Sequence, residues 1–272
     1  MEIAELQATT KRVRKSIITM LQQAGSGHSG GSLSSVDLMV GLFFNHMKFD
    51  PHNPSSPDRD YFILSKGHGC PTLYAILNEY DCITNKELCM LRKPGSRLQG
   101  HPGSDKRIPG IEVSTGSLGY GLSIGVGTAK ASKLSGRGNR TYVLMGDGEQ
   151  QEGSIWEAVM AAGHYKLDNL CGIVDVNGLQ IDGKVSDIMG IEPLGDKYRA
   201  FNWHVISANG HDLKSILAAY DEAKKTKGKP SVILAATVKG KGVSFMENKV
   251  DWHGKTPSQE QAVQALKEIG DQ

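Results

Sequence analysis

The sequence has little cysteine and no segment typical of export. It contains 4 cysteines in 272 residues, and they form neither a CxxC pair nor a regular framework: Cys70, Cys82, Cys89 and Cys171. This excludes a disulfide scaffold and predicts reduced thiols, with Cys70 as a small buried side chain. The N-terminus has no apolar core like that of a signal peptide, so we expect a cytoplasmic protein.

Net charge is also low, at +2, with basic and acidic residues interspersed. Nucleic-acid binding usually needs basic residues gathered in a stripe, and no such stripe is present. The basic run KRVRK at 11–15 lies in a helical pattern with Leu6, Val13, Ile17 and Leu21, which is typical of a solvated helix face. We therefore predict neither a nucleic-acid nor a membrane partner.

Short apolar runs of strand length alternate with helical patterns along the chain. The runs lie near Tyr61, Thr141, Leu170, Trp203 and Val232. This order predicts an α/β fold with a mainly parallel, doubly wound sheet covered by helices on both faces. The stretches rich in proline, glycine and serine have the length of loops, so residues 1–272 are predicted to form one domain.

The best clue to function is a predicted βαβ unit. An apolar run at Thr141–Met145 is followed by a helical pattern at Ser154–Leu167 and a second apolar run at Leu170–Val176. Parallel strands joined in this way end at the same edge of the sheet. Asp147 and Asn177 should therefore emerge side by side.

These two residues have the chemistry of a weak metal site. The glycines of Gly146–Gly148 allow close approach of a ligand, and free amides at the start of the next helix favour an anion. One carboxylate, one amide oxygen and a nearby carbonyl suit Mg²⁺, which completes its shell with phosphate and water. Asp-Gly and Asn-Gly are each ordinary turn sequences. Their meeting at one sheet edge favours a metal–diphosphate site.

Three of the nine histidines follow glycine in predicted loops, namely His28 in GHSGG, His68 in LSKGHG and His101 in GHPG. A single loop histidine is usually a polar surface residue, but a cluster suits proton transfer to sugar hydroxyls and contacts to phosphate. The sequence GGSLSS after His28 is typical of an N-cap before a helix at 36–47. His211 also follows glycine, and we expect a structural role for it.

Six motifs in order resemble the transketolase family: GHSGG, LSKGHG, GHPG, GIEVSTGSLGYGL, GDGEQQEG and DWHGKTP. The GDG followed by a distant Asn resembles the family's thiamine diphosphate motif, although Val176 stands before Asn177 where Asn or Asp is usual. The resemblance implies the diphosphate-binding (PP-type) fold. The implied cofactors are thiamine diphosphate and Mg²⁺, for which Ca²⁺ or Mn²⁺ can substitute.

The resemblance also implies roles for single residues at the metal and the diphosphate. Asp147, Asn177 and the carbonyl of Leu179 would hold the metal. The amide of Gly148 and the side chain of His68 would contact the diphosphate.

Other implied roles concern the centre of the cofactor and the sugar. The backbone of Gly116, Ser117 and Leu118 would line the centre of the cofactor, with Ser117 in place of the usual proline. His28 and His101 would contact the donor and acceptor sugars, and His253 would contact both diphosphate and substrate. As catalytic residues we therefore nominate these three histidines.

Glu152 matches a family glutamate that communicates with the second half of the active site. Lys239 stands in TVKGKG, where many full-length transketolases have an apolar residue against the thiazolium. A lysine there would repel a cationic ring, so we expect Lys239 to reach solvent or a partner chain.

The glutamate that activates the cofactor in this family belongs to a second, pyrimidine-binding domain. The sequence ends at Gln272, after a helical stretch at Ser258–Ile269, which leaves no room for that domain. The resemblance therefore implies the N-terminal subunit of a split transketolase, acting on sugar phosphates. It would transfer a two-carbon ketol unit from a ketose to an aldose only with a separately encoded C-terminal subunit, as an α2β2 heterotetramer.

Two alternatives stay open. The chain could serve another thiamine diphosphate enzyme, such as a 1-deoxyxylulose-5-phosphate synthase or the first component of a 2-oxo acid dehydrogenase. It could also be a non-catalytic diphosphate-binding module. GHPG at 100–103 and the His-Gly pair at 253–254 favour a transketolase, and the histidines argue against a module that only binds.

Overall fold

A parallel sheet organises the computed structural model of the protein, which describes residues 1–271. Its strands and those of a small antiparallel hairpin are β1 (Tyr61–Leu64), β2 (Thr141–Gly146), β3 (Leu170–Val176), β4 (Leu179–Gln180), β5 (Gly183–Lys184), β6 (His204–Asn209) and β7 (Ser231–Ala236). The 5-stranded sheet has the order β1-β2-β3-β7-β6 with every neighbouring pair parallel, and β4 pairs with β5. The predicted α/β fold is confirmed.

Helices connect the strands and continue to the end of the described chain. They are α1 (Ile3–Ala24), α2 (Ser29–Ser34), α3 (Val36–Gly41), α4 (Cys70–Glu79), α5 (Asn85–Leu88), α6 (Tyr120–Leu134), α7 (Gly153–His164), α8 (Val185–Ile188), α9 (Leu194–Ala200), α10 (Leu213–Lys225) and α11 (Gln259–Asp271). A wide π turn at Leu42–His46 extends α3, and short 3₁₀ turns lie at Gly67–Gly69, Ser104–Lys106, Gly148–Gln151 and Val250–Trp252. None of the helices within residues 1–271 is both long and apolar enough to cross a membrane.

Both faces of the sheet are buried, as the unbroken apolar character of the strands requires. Alternate residues of β2 show this, because Tyr142 and Leu144 pack into one apolar core while Val143 and Met145 pack into the other. The first core lies under α1, α3, α4, α10 and α11, and the second under α6, α7 and α9. Cys70 is 1% exposed, in agreement with its predicted burial.

One local prediction was only partly right. A helix does begin at Val36 with Ser35 at its N-cap, but no side chain caps it, and most of the GGSLSS segment forms α2, with His28 at its N-cap. Its hydroxyls bond back to carbonyls of the preceding turn, since Ser32 Oγ donates to the His28 carbonyl at 2.6 Å and Ser35 Oγ to the Gly31 carbonyl at 3.1 Å. A serine hydroxyl that bonds to a carbonyl of its own turn is satisfied there and does not cap the next helix.

Candidate active site

Asp147 and Asn177, which we call the clamp, lie at the carboxyl ends of two adjacent strands. In the pairing of β2 with β3, Gly146 lies opposite Asp175, so the next residues of both strands leave the sheet together. Asp147 accepts the Gly148 N–H at 2.8 Å and the Gly178 N–H at 2.5 Å. Asn177 Oδ1 accepts the Leu179 N–H at 3.2 Å. The predicted meeting of the two residues at one edge is thus found in the fold.

Asp147 is a buried carboxyl group that forms no ion pair with any side chain of residues 1–271. It is 3% exposed. Burial, and secondarily the Asp175 carboxylate, raise its pKa to about 6, although the two amide hydrogen bonds oppose this. A cation placed against this oxygen pair would favour the ionised form, so the site is electrostatically suited to a metal.

A buried ion pair lies beneath the clamp and was not predicted. Asp175, 0% exposed, accepts hydrogen bonds from Ser34, Thr237 and the ammonium of Lys66. Burial opposes ionisation of Asp175, but the Lys66 charge and the hydrogen bonds from Lys66, Ser34 and Thr237 together outweigh it and lower the pKa of the carboxyl group. Lys66, 2% exposed, also donates to the Gly31 carbonyl at 2.7 Å and so ties α2 to the sheet edge.

Glu149, which was not predicted either, joins two of the predicted cofactor loops. Its carboxylate accepts the Gly119 N–H and the Gly146 N–H, each at 2.9 Å, and the hydroxyl of Ser65. Burial raises the pKa of this carboxyl group. The contacts hold the loop that contains Gly116 against the turn that follows β2.

Four histidines form a wall opposite the clamp. The ring centroid of His28 lies 5.2 Å from that of His68, 6.3 Å from that of His101 and 5.7 Å from that of His253, and the rings of His68 and His253 are 5.2 Å apart. The sequence had suggested a cluster of the first three, and His253 joins them from a turn far along the chain.

The histidine wall is electrically neutral near pH 7. Burial, helped by nearby cations, lowers the pKa of His28 to about 4 and that of His253 to about 3. Burial also lowers the pKa of His68 and of His101. Neutral imidazole has one donor and one acceptor nitrogen. Each ring can therefore accept a hydrogen bond or a proton from one hydroxyl group and donate a hydrogen bond to another.

Arg92 lies at the rim of this wall and was also not predicted. Its charge helps to lower the pKa of His28 and His101, and its guanidinium packs on Gly100, where an added Cβ would lie 3.0 Å from Arg92 Cζ. Its backbone is left-handed, with φ of 62°. Such a φ in a bulky residue marks a constrained position.

Lys239 contradicts the expectation that it reaches solvent. It is 2% exposed, and its Nζ donates to the Leu179 carbonyl at 3.0 Å and contacts His253 Nδ1 at 2.8 Å. Burial, and then the charge of Lys66, lower its pKa to about 8. The turn after β7 determines where the Lys239 side chain points. The Gly240 N–H donates to the Gly30 carbonyl, which holds this turn so that the side chain points inward.

Most of the predicted residues surround a cleft of about 370 Å³. Those that line it are His28, His68, His101, Gly116, Leu118, Asp147, Gly148, Glu152, Asn177, Leu179 and His253, joined by Lys66, Glu149, Gln180 and Lys239. Ser117 is exposed and does not line the cleft. Glu152 is exposed at the rim, at the N-cap of α7.

These residues fit a diphosphate with one divalent metal ion. Within residues 1–271, no carboxylate lies within ion-pair distance of the buried Lys239 ammonium, so this cation can pair with an anionic ligand. No group of three or more His, Cys, Asp or Glu side chains in the described chain could hold a metal. A site of one carboxylate, one amide and one carbonyl needs phosphate oxygens to complete the shell of Mg²⁺.

Known proteins resemble the chain over its whole length. A family model of the transketolase thiamine diphosphate binding domain matches residues 6–270. The 6-deoxy-6-sulfo-D-fructose transketolase subunit SqwG of a Clostridium species is 44% identical over 265 residues, which are 97% of this chain and 96% of that protein. An apulose-4-phosphate transketolase subunit of Phocaeicola vulgatus is 41% identical over 271 residues, which are 100% of this chain and 96% of that protein.

Full-length transketolases are matched over less than half of their length. Human transketolase is 40% identical over 273 residues, which are 98% of this chain but 42% of that protein. The crystal structure of transketolase from Campylobacter jejuni superposes with a TM-score of 0.93 at 34% identity, over 99% of this chain and 43% of that chain. The chain therefore belongs to the transketolase family, in which it corresponds to the thiamine diphosphate-binding domain.

Proposed function

We propose that the protein is the N-terminal subunit of a two-chain transketolase. It would transfer a two-carbon ketol unit from a ketose donor to an aldose acceptor, and only together with a partner subunit. The observation that carries the proposal is the wall of four histidines, which lines one cleft together with Asp147 and Asn177. A protein that only bound diphosphate would need the clamp but not His28 and His101, which are assigned to the sugar.

In this proposal the clamp binds the diphosphate end of thiamine diphosphate. Asp147, Asn177 and the Leu179 carbonyl would hold Mg²⁺, or Ca²⁺ or Mn²⁺ in its place. The amide of Gly148 and the side chain of His68 would contact the diphosphate. Bound thiamine diphosphate supplies an electron sink for the two-carbon unit.

Lys239 joins this set as a cofactor-binding residue. Its buried ammonium lies against the Leu179 carbonyl and His253, and in the complex it would pair with a diphosphate oxygen. A lysine at this place repels the thiazolium only if it points at the ring. If it pairs with the diphosphate instead, its charge favours cofactor binding.

The sugar would lie along the histidine wall. His28, His101 and His253 would accept or return protons at the hydroxyl groups of donor and acceptor. Their lowered pKa values keep these rings neutral near pH 7, so each has a nitrogen that can accept a hydrogen bond from a sugar hydroxyl group. The backbone of Gly116 to Leu118 would line the centre of the cofactor, and Glu152 would face the other half of the site.

A partner subunit would supply the pyrimidine-binding domain and its glutamate, in an α2β2 heterotetramer. Relatives of nearly the same length that are named as transketolase subunits support a second chain. Large apolar side chains near the cleft support a docking surface, since Ile181, which lines it, is 65% exposed and Tyr120, next to Gly119, is 58% exposed. We place this enzyme in the cytoplasm, which suits four unpaired cysteines.

The sugar itself is proposed only as a class. Relatives are named for apulose 4-phosphate and for 6-deoxy-6-sulfo-D-fructose, so the pentose phosphate pathway is one of several that the enzyme could serve. These names share a sugar with an anionic group. We infer an anionic ketose as donor and an aldose, with or without phosphate, as acceptor.

Ketol transfer by the purified chain, its copurified partner and the mixture tests the proposal. With thiamine diphosphate, Mg²⁺, xylulose 5-phosphate and ribose 5-phosphate, or a sulfo-sugar donor, we expect product only from the mixture. Robust turnover by the chain alone would contradict the split site. Release of CO₂ from pyruvate, without ketol transfer, would favour a synthase or dehydrogenase component instead.

A further inference from the structure

A buried charged triad lies behind the cleft, on the far side of the turn that carries Lys239. Arg14 of α1 donates through Nη2 to Asp37 of α3 at 2.6 Å, and His211, between β6 and α10, places Nδ1 2.7 Å from the same carboxylate oxygen. The side chains of Arg14, Asp37 and His211 are 7%, 8% and 13% exposed. None of these three lines the cleft.

The hydrogen bonds define the form of His211. Its Nε2 accepts the backbone N–H of Val238 at 2.8 Å, so this nitrogen carries no proton. Nδ1 therefore carries the proton and donates a hydrogen bond to Asp37. Burial opposes ionisation of Asp37, but the charge of Arg14 and the hydrogen bonds from His211 and Arg14 together outweigh it and lower the pKa of the carboxyl group, which keeps this acceptor charged.

The triad holds both flanks of one turn. On one side His211 binds the Val238 N–H, and on the other Arg14 Nε donates to the Lys241 carbonyl at 3.3 Å. Lys239 lies between these two contacts. The turn also needs Gly240, whose φ is 79° and where a Cβ would lie 2.5 Å from the Met246 carbonyl oxygen.

The inward direction of Lys239 requires such support. Lys239 is 2% exposed and lines the same cleft as Lys66, which is also 2% exposed, so two ammonium groups are kept away from water in one cleft. Without a diphosphate, an unrestrained turn would relieve this cost by moving the side chain toward water. The aliphatic part of the Lys239 side chain is tightly packed, since a Cβ at Gly30 would lie 2.9 Å from Lys239 Cγ.

We propose that Arg14, Asp37 and His211 are positioning residues that hold the Val238–Lys241 turn so that Lys239 presents its ammonium to the diphosphate. This rests on the proposed function, in which Lys239 binds the diphosphate. The triad contacts neither cofactor nor substrate and acts only through the backbone of the turn.

The test measures thiamine diphosphate affinity by calorimetry in the reconstituted complex with Mg²⁺. His211→Leu removes both hydrogen bonds, whereas His211→Gln can accept the Val238 N–H and donate to Asp37. We expect Lys239→Met to weaken binding by about tenfold to a hundredfold, the value of a charge-assisted hydrogen bond. His211→Leu should weaken it by about tenfold, and His211→Gln should restore most of the loss.

A double-mutant cycle separates positioning from a general loss of stability. If His211 acts through Lys239, adding His211→Leu to Lys239→Met should weaken binding no further. The matched control is His204→Leu, which removes another histidine–carboxylate contact, that with Glu222 at 2.7 Å on the surface, and should leave binding unchanged. Thermal unfolding of every variant checks that it folds. If His211→Leu does not fold, the same cycle is measured with His211→Gln and Lys239→Met.

Several results would overturn the inference. These are wild-type affinity in His211→Leu, an additive loss in the double variant, or a failure of His211→Gln to restore binding. Unchanged affinity in Lys239→Met would also overturn it, because the triad would then have no cofactor contact to support. Absence of cofactor binding or ketol transfer in the wild-type complex would instead count against the proposed function.

Discussion

The two sides of the cleft are built in different ways. The clamp comes from one βαβ unit, so Asp147 and Asn177 meet because two neighbouring strands are parallel. The histidine wall comes from four separate loops between His28 and His253. The clamp has a carboxyl group whose pKa is raised to about 6, while the wall has imidazoles whose pKa values are lowered. Burial opposes charge on both sides, so each favours the neutral form of its titratable groups.

This contrast predicts that substitutions on the two sides affect different properties, namely cofactor affinity for the clamp and turnover for the wall. Asp147→Ala should weaken Mg²⁺-dependent binding of thiamine diphosphate by more than about a hundredfold, since losing a metal ligand should exceed the effect of losing a residue that only orients a ligand. Calorimetry on the reconstituted complex measures this. Asp187→Ala, on the exposed α8, is the control, and unchanged affinity in Asp147→Ala would remove Asp147 from the metal site.

A change at His101, a wall residue assigned only to the sugar, should spare cofactor binding. We expect His101→Ala to lower kcat by about a hundredfold or more, the contribution of a positioned general acid or base, while cofactor affinity stays within about twofold. Steady-state ketol transfer and calorimetry separate the two effects. His52→Ala, in an exposed loop, is the control. An equal loss of affinity and turnover would erase the proposed difference between wall and clamp.

The pH dependence of stability should have opposite signs on the two sides. His28 and His253 have lowered pKa values of about 4 and about 3, so the unfolded chain binds protons more readily and their contribution falls as the pH drops from 6.5 toward 4. Asp147 has a raised pKa of about 6, so its contribution falls as the pH rises from 3.8 through 6.

Thermal unfolding of the chain between about pH 4 and pH 7 checks these signs. Asp147→Asn should raise the Tm of the cofactor-free chain near neutral pH and leave it nearly unchanged in acid. A double change of His28 and His253 to Asn should remove part of the acid sensitivity. A Tm profile that neither change alters would contradict the assigned pKa directions.

The smallest effect concerns Arg92 at the rim. Its charge helps to lower the pKa of His28 and His101, so Arg92→Gln should raise both pKa values. Proton NMR titration of the imidazole signals measures the change. Lys93→Gln is the neighbouring control, and equal shifts in the two variants would show that a general surface charge is responsible.

The clamp could be predicted because its geometry is local. A strand, a helix and a second strand bring Asp147 beside Asn177 whatever else the chain does. The ion pair below it could not be predicted in this way. Asp175 lies within one apolar run and Lys66 comes shortly after another, and only in the folded protein do these charges meet and compensate one another.

Lys239 shows why side-chain direction was missed. Electrostatics against a thiazolium indicated that its charge should avoid the ring, but not where else it could go. Three contacts of the turn direct the side chain inward. They are the left-handed backbone of Gly240, its hydrogen bond to the Gly30 carbonyl and the hydrogen bond from Val238 to His211. These contacts join residues far apart in the sequence.

The sequence by itself determined the α/β fold, the place of the clamp and the family, because strand and helix periods and glycine turns are properties of short segments. Only the tertiary structure decided which charges are buried, that four histidines share one wall and that Lys239 points into the cleft. The reason is physical: burial and charge compensation depend on every group packed around a side chain, and those groups come from the whole chain.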